Sequence, residues 1–101
     1  MTLEIKIEND SYTAILDGRL DTVASAQFSK DMQPLLDNAD KEIKLDCSRL
    51  EYISSTGLRL FLMLRKAVDQ KGGSLIVYHI NDELRKIFTI TGFFPLFDIR
   101  S

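Results

Sequence analysis

The sequence is short of the residues from which catalytic and metal sites are built. It contains one cysteine, one histidine and no tryptophan among 101 residues. The lone Cys47 cannot form an internal disulfide and fits a reducing compartment. One cysteine together with one histidine, His79, does not make a zinc site. We therefore expect no metal and no cofactor.

Motifs for nucleophilic or nucleotide chemistry are also missing. The nucleophile-elbow pattern G-x-S-x-G does not occur, and Gly57 and the Gly72-Gly73 pair form neither a dinucleotide fingerprint nor a P-loop. His79 falls within or at the end of a predicted strand, which favours a structural role. The sequence predicts a protein that is not an enzyme and has no catalytic residues.

The chain lacks a charge excess and a long apolar run. Thirteen basic and fifteen acidic residues leave a net charge of −2, and no basic cluster offers a surface for nucleic acid. The first ten residues, MTLEIKIEND, do not resemble a signal peptide, and no apolar run is long enough to span a bilayer. We expect a cytoplasmic protein without direct membrane contact.

The length and composition predict one compact domain over residues 1–101. Hydrophobic residues make up 45% of the chain and charged residues 28%, as in ordinary globular proteins. So small a domain buries a limited share of its surface, which leaves little room for a deep catalytic cavity.

The first part of the chain predicts a hairpin and a helix. Alternation from Leu3 to Glu8 indicates an edge strand, the turn Asn9-Asp10-Ser11 follows, and Tyr12–Leu16 predicts an antiparallel partner. The segment "DGRLD" at 17–21 breaks the pattern and reads as a turn. A helix is predicted from Thr22, as its N-cap, to Leu36, with Val23 among the apolar residues of a loose helical period.

The remaining pattern predicts strands that alternate with helices. Strands are expected at 43–48, at 74–80 and at 96–99, the second of them in the centre of the sheet because it is apolar throughout. Helices are expected at 56–70, closed by Gly72-Gly73, and from Asn81 or Asp82 to Ile90. The order β-β-α-β-α-β-α-β defines an α/β layered fold whose later strands are parallel.

Three hydroxyl residues, Ser54, Ser55 and Thr56, precede the long helix. A helix start has free backbone N–H groups and carries roughly half a positive charge. Neither Asp nor Glu lies in this first turn, and Arg59 adds further positive charge. One hydroxyl is expected simply to cap the helix. A phosphoryl group on another would be accepted by the helix start, yet it would repel a docked partner.

The same helix predicts a contact stripe. At 3.6 residues per turn, its exposed side combines Met63 with polar residues, while the core side is apolar. Methionine is enriched at interfaces, although a single exposed one is also ordinary. We favour a contact surface; the stripe consists of Arg59, Met63, Lys66 and Gln70.

The stretch "LDCSRLEYISSTGLRLF" resembles the signature of STAS domains of the anti-sigma factor antagonist type. Asp46 matches the first acid of that signature, Ser55 the phosphorylated serine, Thr56 the small hydroxyl and Gly57-Leu58 the helix start. "GRLD" at 18–21 and "GFFPLFDI" at 92–99 are also similar to recurring elements of the family. One difference stands out, because the family commonly has Asp where this chain has Ser54.

The resemblance implies a partner switch. The unphosphorylated domain would bind an anti-sigma factor kinase of the histidine-kinase-like ATPase fold, and phosphorylation by that kinase would release it. A metal-dependent (PP2C-type) serine phosphatase would reset it. Two alternatives stay open: a STAS subunit docked without phosphorylation in a lipid or anion transport complex, and a small-anion site at the helix start. The predicted contact face comprises Asp17, Asp21, Ser54, Ser55, Thr56, Gly57, Arg59 and Met63.

Overall fold

The computed structural model describes residues 1–100 and contains a five-stranded mixed sheet in the order β1-β2-β3-β4-β5. Strands β1 and β2 are antiparallel, and β2 to β5 are parallel. The predicted α/β class, the hairpin and the parallel later strands are confirmed. The strands are β1 Thr2–Glu8, β2 Ser11–Leu20, β3 Glu42–Ile53, β4 Ser74–Tyr78 and β5 Asp98–Arg100; the helices are α1 Thr22–Asp31, α2 Gln33–Asp37, α3 Ser55–Lys71 and α4 Asp82–Ile90, with a 3₁₀ turn at Phe94–Leu96.

One face of the sheet carries the core. Alternate side chains of the central strands are fully buried, whereas those between them on β3, such as Lys44 and Asp46, are only partly covered. The helices cover the buried face and contact one another through aromatic rings. The ring centroid of Phe61 on α3 lies 6.1 Å from that of Phe28 on α1 and 6.3 Å from that of Phe88 on α4. The fully buried strand residues include Ala14, Leu16, Ile43, Leu45 and Val77.

Strands β2 and β3 are longer than the sequence pattern predicts. The segment at 17–21 is not a turn, because β2 continues to Leu20 and pairs with β3 to its end at Ile53. The register shifts twice along this pairing, between Ile15 and Asp17 and between Gly18 and Arg19. Each shift interrupts the period of two, so a bulged strand looks like a strand end in the sequence.

The segment predicted as one helix forms two helices, and the N-cap of the first is Asp21 rather than Thr22. Asp21 is the N-cap of α1, with its carboxylate accepting a hydrogen bond from the Ala24 amide at 2.8 Å, so Thr22 is the first helical residue. Helix α1 ends at Asp31, and α2 begins next to Pro34. Proline has no backbone N–H and fits the first turn of a helix, where amides have no partner within the helix. A new helix therefore begins at this point.

Strand β4 is not the centre of the sheet. It lies between β3 and the three-residue β5, so β3 is central. Leu75, Ile76 and Val77 are nevertheless all buried, which accounts for the apolar run. The strand ends at Tyr78, and His79 follows in the left-handed region with φ 63°. The predicted helix stop at Gly72 is confirmed, with φ 81° and its amide bonded to the Val68 carbonyl.

Among residues 1–100, no helix combines the length and the apolar character that crossing a bilayer would require.

Candidate functional site

Two helix starts lie side by side at the carboxyl ends of neighbouring parallel strands. Leu20, the last residue of β2, pairs with Ile53, the last residue of β3. Helix α1 follows β2 after Asp21, and helix α3 follows β3 after Ser54. The Ser54 amide donates to the Leu20 carbonyl at 2.8 Å, which ties the two connections together.

Ser54 is the hydroxyl that caps helix α3. Its backbone is extended, and its Oγ accepts a hydrogen bond from the Gly57 amide at 3.1 Å. Its carbonyl accepts the first helical bond from the Leu58 amide at 2.9 Å. The residue is only 7% exposed. Ser54 therefore makes the N-cap bond that an aspartate would make, without adding a charge.

Ser55 and Thr56 are not needed for that cap. Ser55 is exposed and Thr56 is partly exposed. Within residues 1–100, the backbone amides of these two residues have no hydrogen-bond partner. Two donors at the positive end of a 17-residue helix are thus free beside an exposed hydroxyl. This arrangement can accept a small anionic group attached at Ser55.

Gly57 fixes how closely helix α3 approaches the strands. A Cβ at this position would lie 2.9 Å from Cγ1 of Ile53 and 2.9 Å from Cγ of Leu20. Contacts that short do not occur without displacement of the neighbours. The absence of a side chain therefore lets the first turn of α3 rest on the ends of β2 and β3, and this holds Ser55 at the surface.

The charge at the start of α3 differs from that of the two other helices that follow parallel strands. Helix α1 is capped by the carboxylate of Asp21, and α4 has Asp82 and Glu83 in its first turn. Helix α3 has a neutral cap and no acid in its first turn. Anionic groups stabilise helix starts. Of these three helices, only α3 has no carboxylate at its start.

The predicted stripe on α3 is solvent-facing. Arg59 is exposed, and Met63, one turn later, is 48% exposed. Lys66 and Gln70 continue the stripe and are exposed as well. On the apolar side of α3, Leu62 and Ala67 are only partly buried.

Val23 belongs to the apolar period predicted for the first helix, yet it lies at the surface. It is 85% exposed near the start of α1, beside the start of α3. The buried positions of this segment are Ser25, Phe28 and Met32. Their spacing of three and four residues defines one helical stripe, and Val23 lies outside it. That spacing is visible in the sequence and is the signal that Val23 faces solvent.

Asp17 lies apart from this corner. It is exposed within β2, and its carboxylate lies 3.9 Å from the Arg49 guanidinium on β3. Three residues of strand separate it from Asp21. The structure thus brings together Asp21 and the residues from Ser54 to Gly57, with Arg59 and Met63 along the helix, and leaves Asp17 on the strand.

Cys47 is buried, and His79 is exposed. Burial, with the nearby charge of Asp46, raises the pKa of the Cys47 thiol well above its usual range. His79 is exposed, with its ring 5.7 Å from that of Tyr78. Over the 100 described residues, no cluster of three metal-ligating side chains is found.

The sequence matches the model of the STAS domain over residues 3–101. The chain belongs to the STAS domain family. This confirms the resemblance drawn from the stretch before and within α3.

Proteins similar in sequence to this one are named for a role in sigma factor control. BtrV of Bordetella bronchiseptica, whose name assigns it provisionally to the anti-sigma factor antagonists, is 31% identical over 86 residues, which cover 85% of this chain and 74% of BtrV. The anti-sigma-B factor antagonist of Staphylococcus aureus is 25% identical over 92 residues, covering 91% and 85%.

The fold is shared with the anti-sigma factor antagonist SpoIIAA, which has been solved in two states. The unphosphorylated form matches with a TM-score of 0.74 and 18% identity, covering 99% of this STAS domain and 88% of that chain. The phosphorylated form, from Bacillus, matches with a TM-score of 0.73 and 20% identity, covering 99% and 92%.

Proposed function

We propose that this STAS domain is an anti-sigma factor antagonist that binds an anti-sigma factor at the start of α3 and is released when Ser55 is phosphorylated. The observation that carries the proposal is an exposed Ser55 hydroxyl beside two free backbone amides, at a helix start without a carboxylate. The similarity to named antagonists supports the class of partner.

Burial favours Ser55 over its two neighbours as the modified residue. The Ser54 hydroxyl is buried and already accepts the Gly57 amide, so its modification would break the cap. Thr56 is only partly exposed. A kinase needs the acceptor oxygen to reach its active site, and Ser55 meets that requirement without any rearrangement of the helix.

Exposed apolar side chains on α1 and α3 would supply the docking surface. Val23 and Met63 are both exposed, on α1 and α3 respectively. Apolar anchors that become buried in an interface contribute most of its stability when polar groups surround them. A phosphoryl group at Ser55 brings about −1.5 to −2 charges to this surface, which an interface formed over it would have to desolvate.

The partner classes follow from the family resemblance. The anti-sigma factor is expected to be a serine kinase of the histidine-kinase-like ATPase fold, and a metal-dependent (PP2C-type) phosphatase is expected to restore the serine. In this scheme the STAS domain is a ligand and a substrate rather than a catalyst. Asp21 and Arg59 complete the proposed contact face, whereas the predicted contact residues Ser54 and Gly57 are buried and only position it. Asp17 would contribute only through a partner that also reaches the strand.

The direct test is phosphorylation by the cognate anti-sigma kinase. The protein is incubated with that kinase and ATP, and the phosphate is located by mass spectrometry. One phosphate on Ser55, together with loss of the complex, is the expected result. Phosphate on Thr56 or Ser54 would contradict the assignment of the residue, and a complex that persists after full phosphorylation would contradict the release.

Substitutions of Ser55 distinguish the effect of an added negative charge from the effect of losing the hydroxyl group. We expect Ser55→Ala to retain binding and to accept no phosphate, and Ser55→Asp to weaken binding at least tenfold because a charge enters the contact. Ser74→Asp is the matched control: it adds the same charge at an exposed serine at the amino end of β4, opposite the candidate site. Equal binding of Ser55→Asp and the wild type, with no phosphate transfer, would instead favour permanent docking without a switch.

A further inference from the structure

The outer edge of β1 is suited to pairing with the β1 strand of a second copy of this chain. Strand β1 is seven residues long, pairs with β2 in unbroken register and, within residues 1–100, has no strand on its other side. The opposite edge of the sheet is β5, which has only three residues. A long, regular, uncovered edge offers a row of backbone donors and acceptors to another strand.

The charges on β1 are self-complementary. Glu4 and Lys6 lie on the sheet face away from the helices, and within residues 1–100 neither forms an ion pair. In an antiparallel pairing of two β1 strands centred on Ile5, Glu4 of each copy lies opposite Lys6 of the other. Opposite charges directly across an antiparallel pair are stabilising, and like charges are destabilising.

Other antiparallel registers that keep both helical layers on the same side of the sheet are less favourable. A centre on Glu4 would place the two Glu4 residues opposite each other, and a centre on Lys6 would do the same for the two lysines. Side chains alternate faces along a strand, so a centre between two residues would set a core-facing side chain against an outward one. A centre on Ile7 would also set Lys6 opposite Glu8, but it would pair only three residues of each strand, whereas the register centred on Ile5 pairs all seven. Opposite charges and full overlap together favour the register centred on Ile5.

The apolar face of β1 gives an independent reason for the same register. Ile7 is 61% exposed, although it lies on the face that carries Leu3 and Ile5. In the pairing centred on Ile5, Ile7 of one copy lies opposite Leu3 of the other, and the two Ile5 residues face each other. The pairing would thus cover an isoleucine that the single chain leaves in water.

We propose that two copies of this STAS domain associate through antiparallel β1 edges, with Ile5 on the two-fold axis and reciprocal pairs between Glu4 and Lys6. The two five-stranded sheets would then form one continuous sheet. Because β2 lies between β1 and β3, the start of α3 stays open in this dimer. Self-association and partner binding can therefore coexist.

Charge reversal tests both the interface and its register. Sedimentation analysis of the wild type should show a monomer–dimer equilibrium. Glu4→Lys alone and Lys6→Glu alone each place like charges in both reciprocal pairs, so each should weaken dimerisation about tenfold or more. An equimolar mixture of the two variants should restore dimers, since each variant then meets the opposite charges. Glu8→Lys is the control, because Glu8 would face Thr2 and should change dimerisation little.

The outcomes are decisive in both directions. All three residues changed, Glu4, Lys6 and Glu8, are exposed charged residues, and circular dichroism of each variant checks that the fold is unchanged. A wild-type protein that stays monomeric up to about 1 mM would overturn the proposal, since even weak interfaces assemble at that concentration. A dimer that is insensitive to either reversal, or a mixture that stays monomeric, would place the contact elsewhere or reject the register.

Discussion

At the scale of single residues, the three hydroxyls before α3 have different environments despite their similar chemistry. Ser54 is buried and bonded, Ser55 is exposed and Thr56 lies between them. The sequence predicted that one of them caps the helix but left open which one. The choice depends on where β3 ends, because the residue after Ile53 becomes the cap. That strand end was hidden by the shifted register with β2.

The cap itself can be measured. Ser54→Ala removes the acceptor for the Gly57 amide in a buried place, and we expect a loss of about 1 kcal/mol in the free energy of unfolding. Ser54→Asp keeps an acceptor and adds a negative charge at the positive helix end, so it should retain the wild-type stability. Ser55→Ala is the neighbouring control and should change stability by less than about 0.5 kcal/mol. Urea denaturation measures all three; an unchanged Ser54→Ala would contradict the capping role.

The state of Cys47 gives a second prediction at this scale. Burial raises its pKa, so the thiolate is disfavoured in the folded protein. Alkylation by iodoacetamide should stay slow as the pH rises through the usual range for thiols, about 8.5, as long as the protein is folded. The same reagent should label the denatured chain quickly. Rapid labelling of the native protein would show that the strand opens at this position.

At the scale of elements, the packing of α3 on the strand ends depends on Gly57. Gly57→Ala adds a carbon that would meet Ile53 and Leu20 at 2.9 Å. Alanine is the better helix former by about 1 kcal/mol, yet overpacking costs about 1–3 kcal/mol, so we expect net destabilisation. Gln70→Ala, at an exposed position of the same helix, is the control and should be neutral or stabilising. A more stable Gly57→Ala protein would show that the helix can move away at little cost.

The charge at the start of α3 makes a separate prediction. Ser55→Asp places a carboxylate in the first turn, where it should stabilise the fold by about 0.5 kcal/mol and raise Tm by roughly 2–4 °C at low salt. The gain should shrink at high ionic strength because the interaction is exposed. Ser74→Asp should show no such gain. The variant would then be more stable and yet a weaker binder, which separates loss of affinity from loss of structure.

The sequence predicted the element types well and the element boundaries less well. Alternation identified β1, and the apolar period identified α3, because in both elements one side is buried along the whole length. The apolar residues from Val23 to Leu36 suggest one helical period, although Val23 is exposed and the segment forms two helices. The apolar run of β4 suggests the sheet centre, because apolar composition reports burial rather than position. Strand order depends on long-range pairing, which no local pattern contains.

At the scale of the whole molecule, the proposed switch needs no change of shape. The start of α3 is tied to β2 through Leu20 and Ser54, and it rests on both strand ends through Gly57. In NMR spectra of the phosphorylated protein, we expect shift changes to be confined to the residues around 20–23 and 54–60. Changes spread over β1 and β4 would contradict this, because they would indicate a conformational transition.

Folding also determines which oxygen a kinase can use. In an extended chain, Ser54, Ser55 and Thr56 would be three adjacent and nearly equivalent acceptors, and sequence context alone would have to choose among them. In the folded domain, Ser54 is buried, Thr56 is partly exposed and Ser55 is exposed. In the proposed switch, phosphorylation of Ser55 alone would therefore report that the domain was folded when the kinase bound it, so that unfolded copies would not give the same signal.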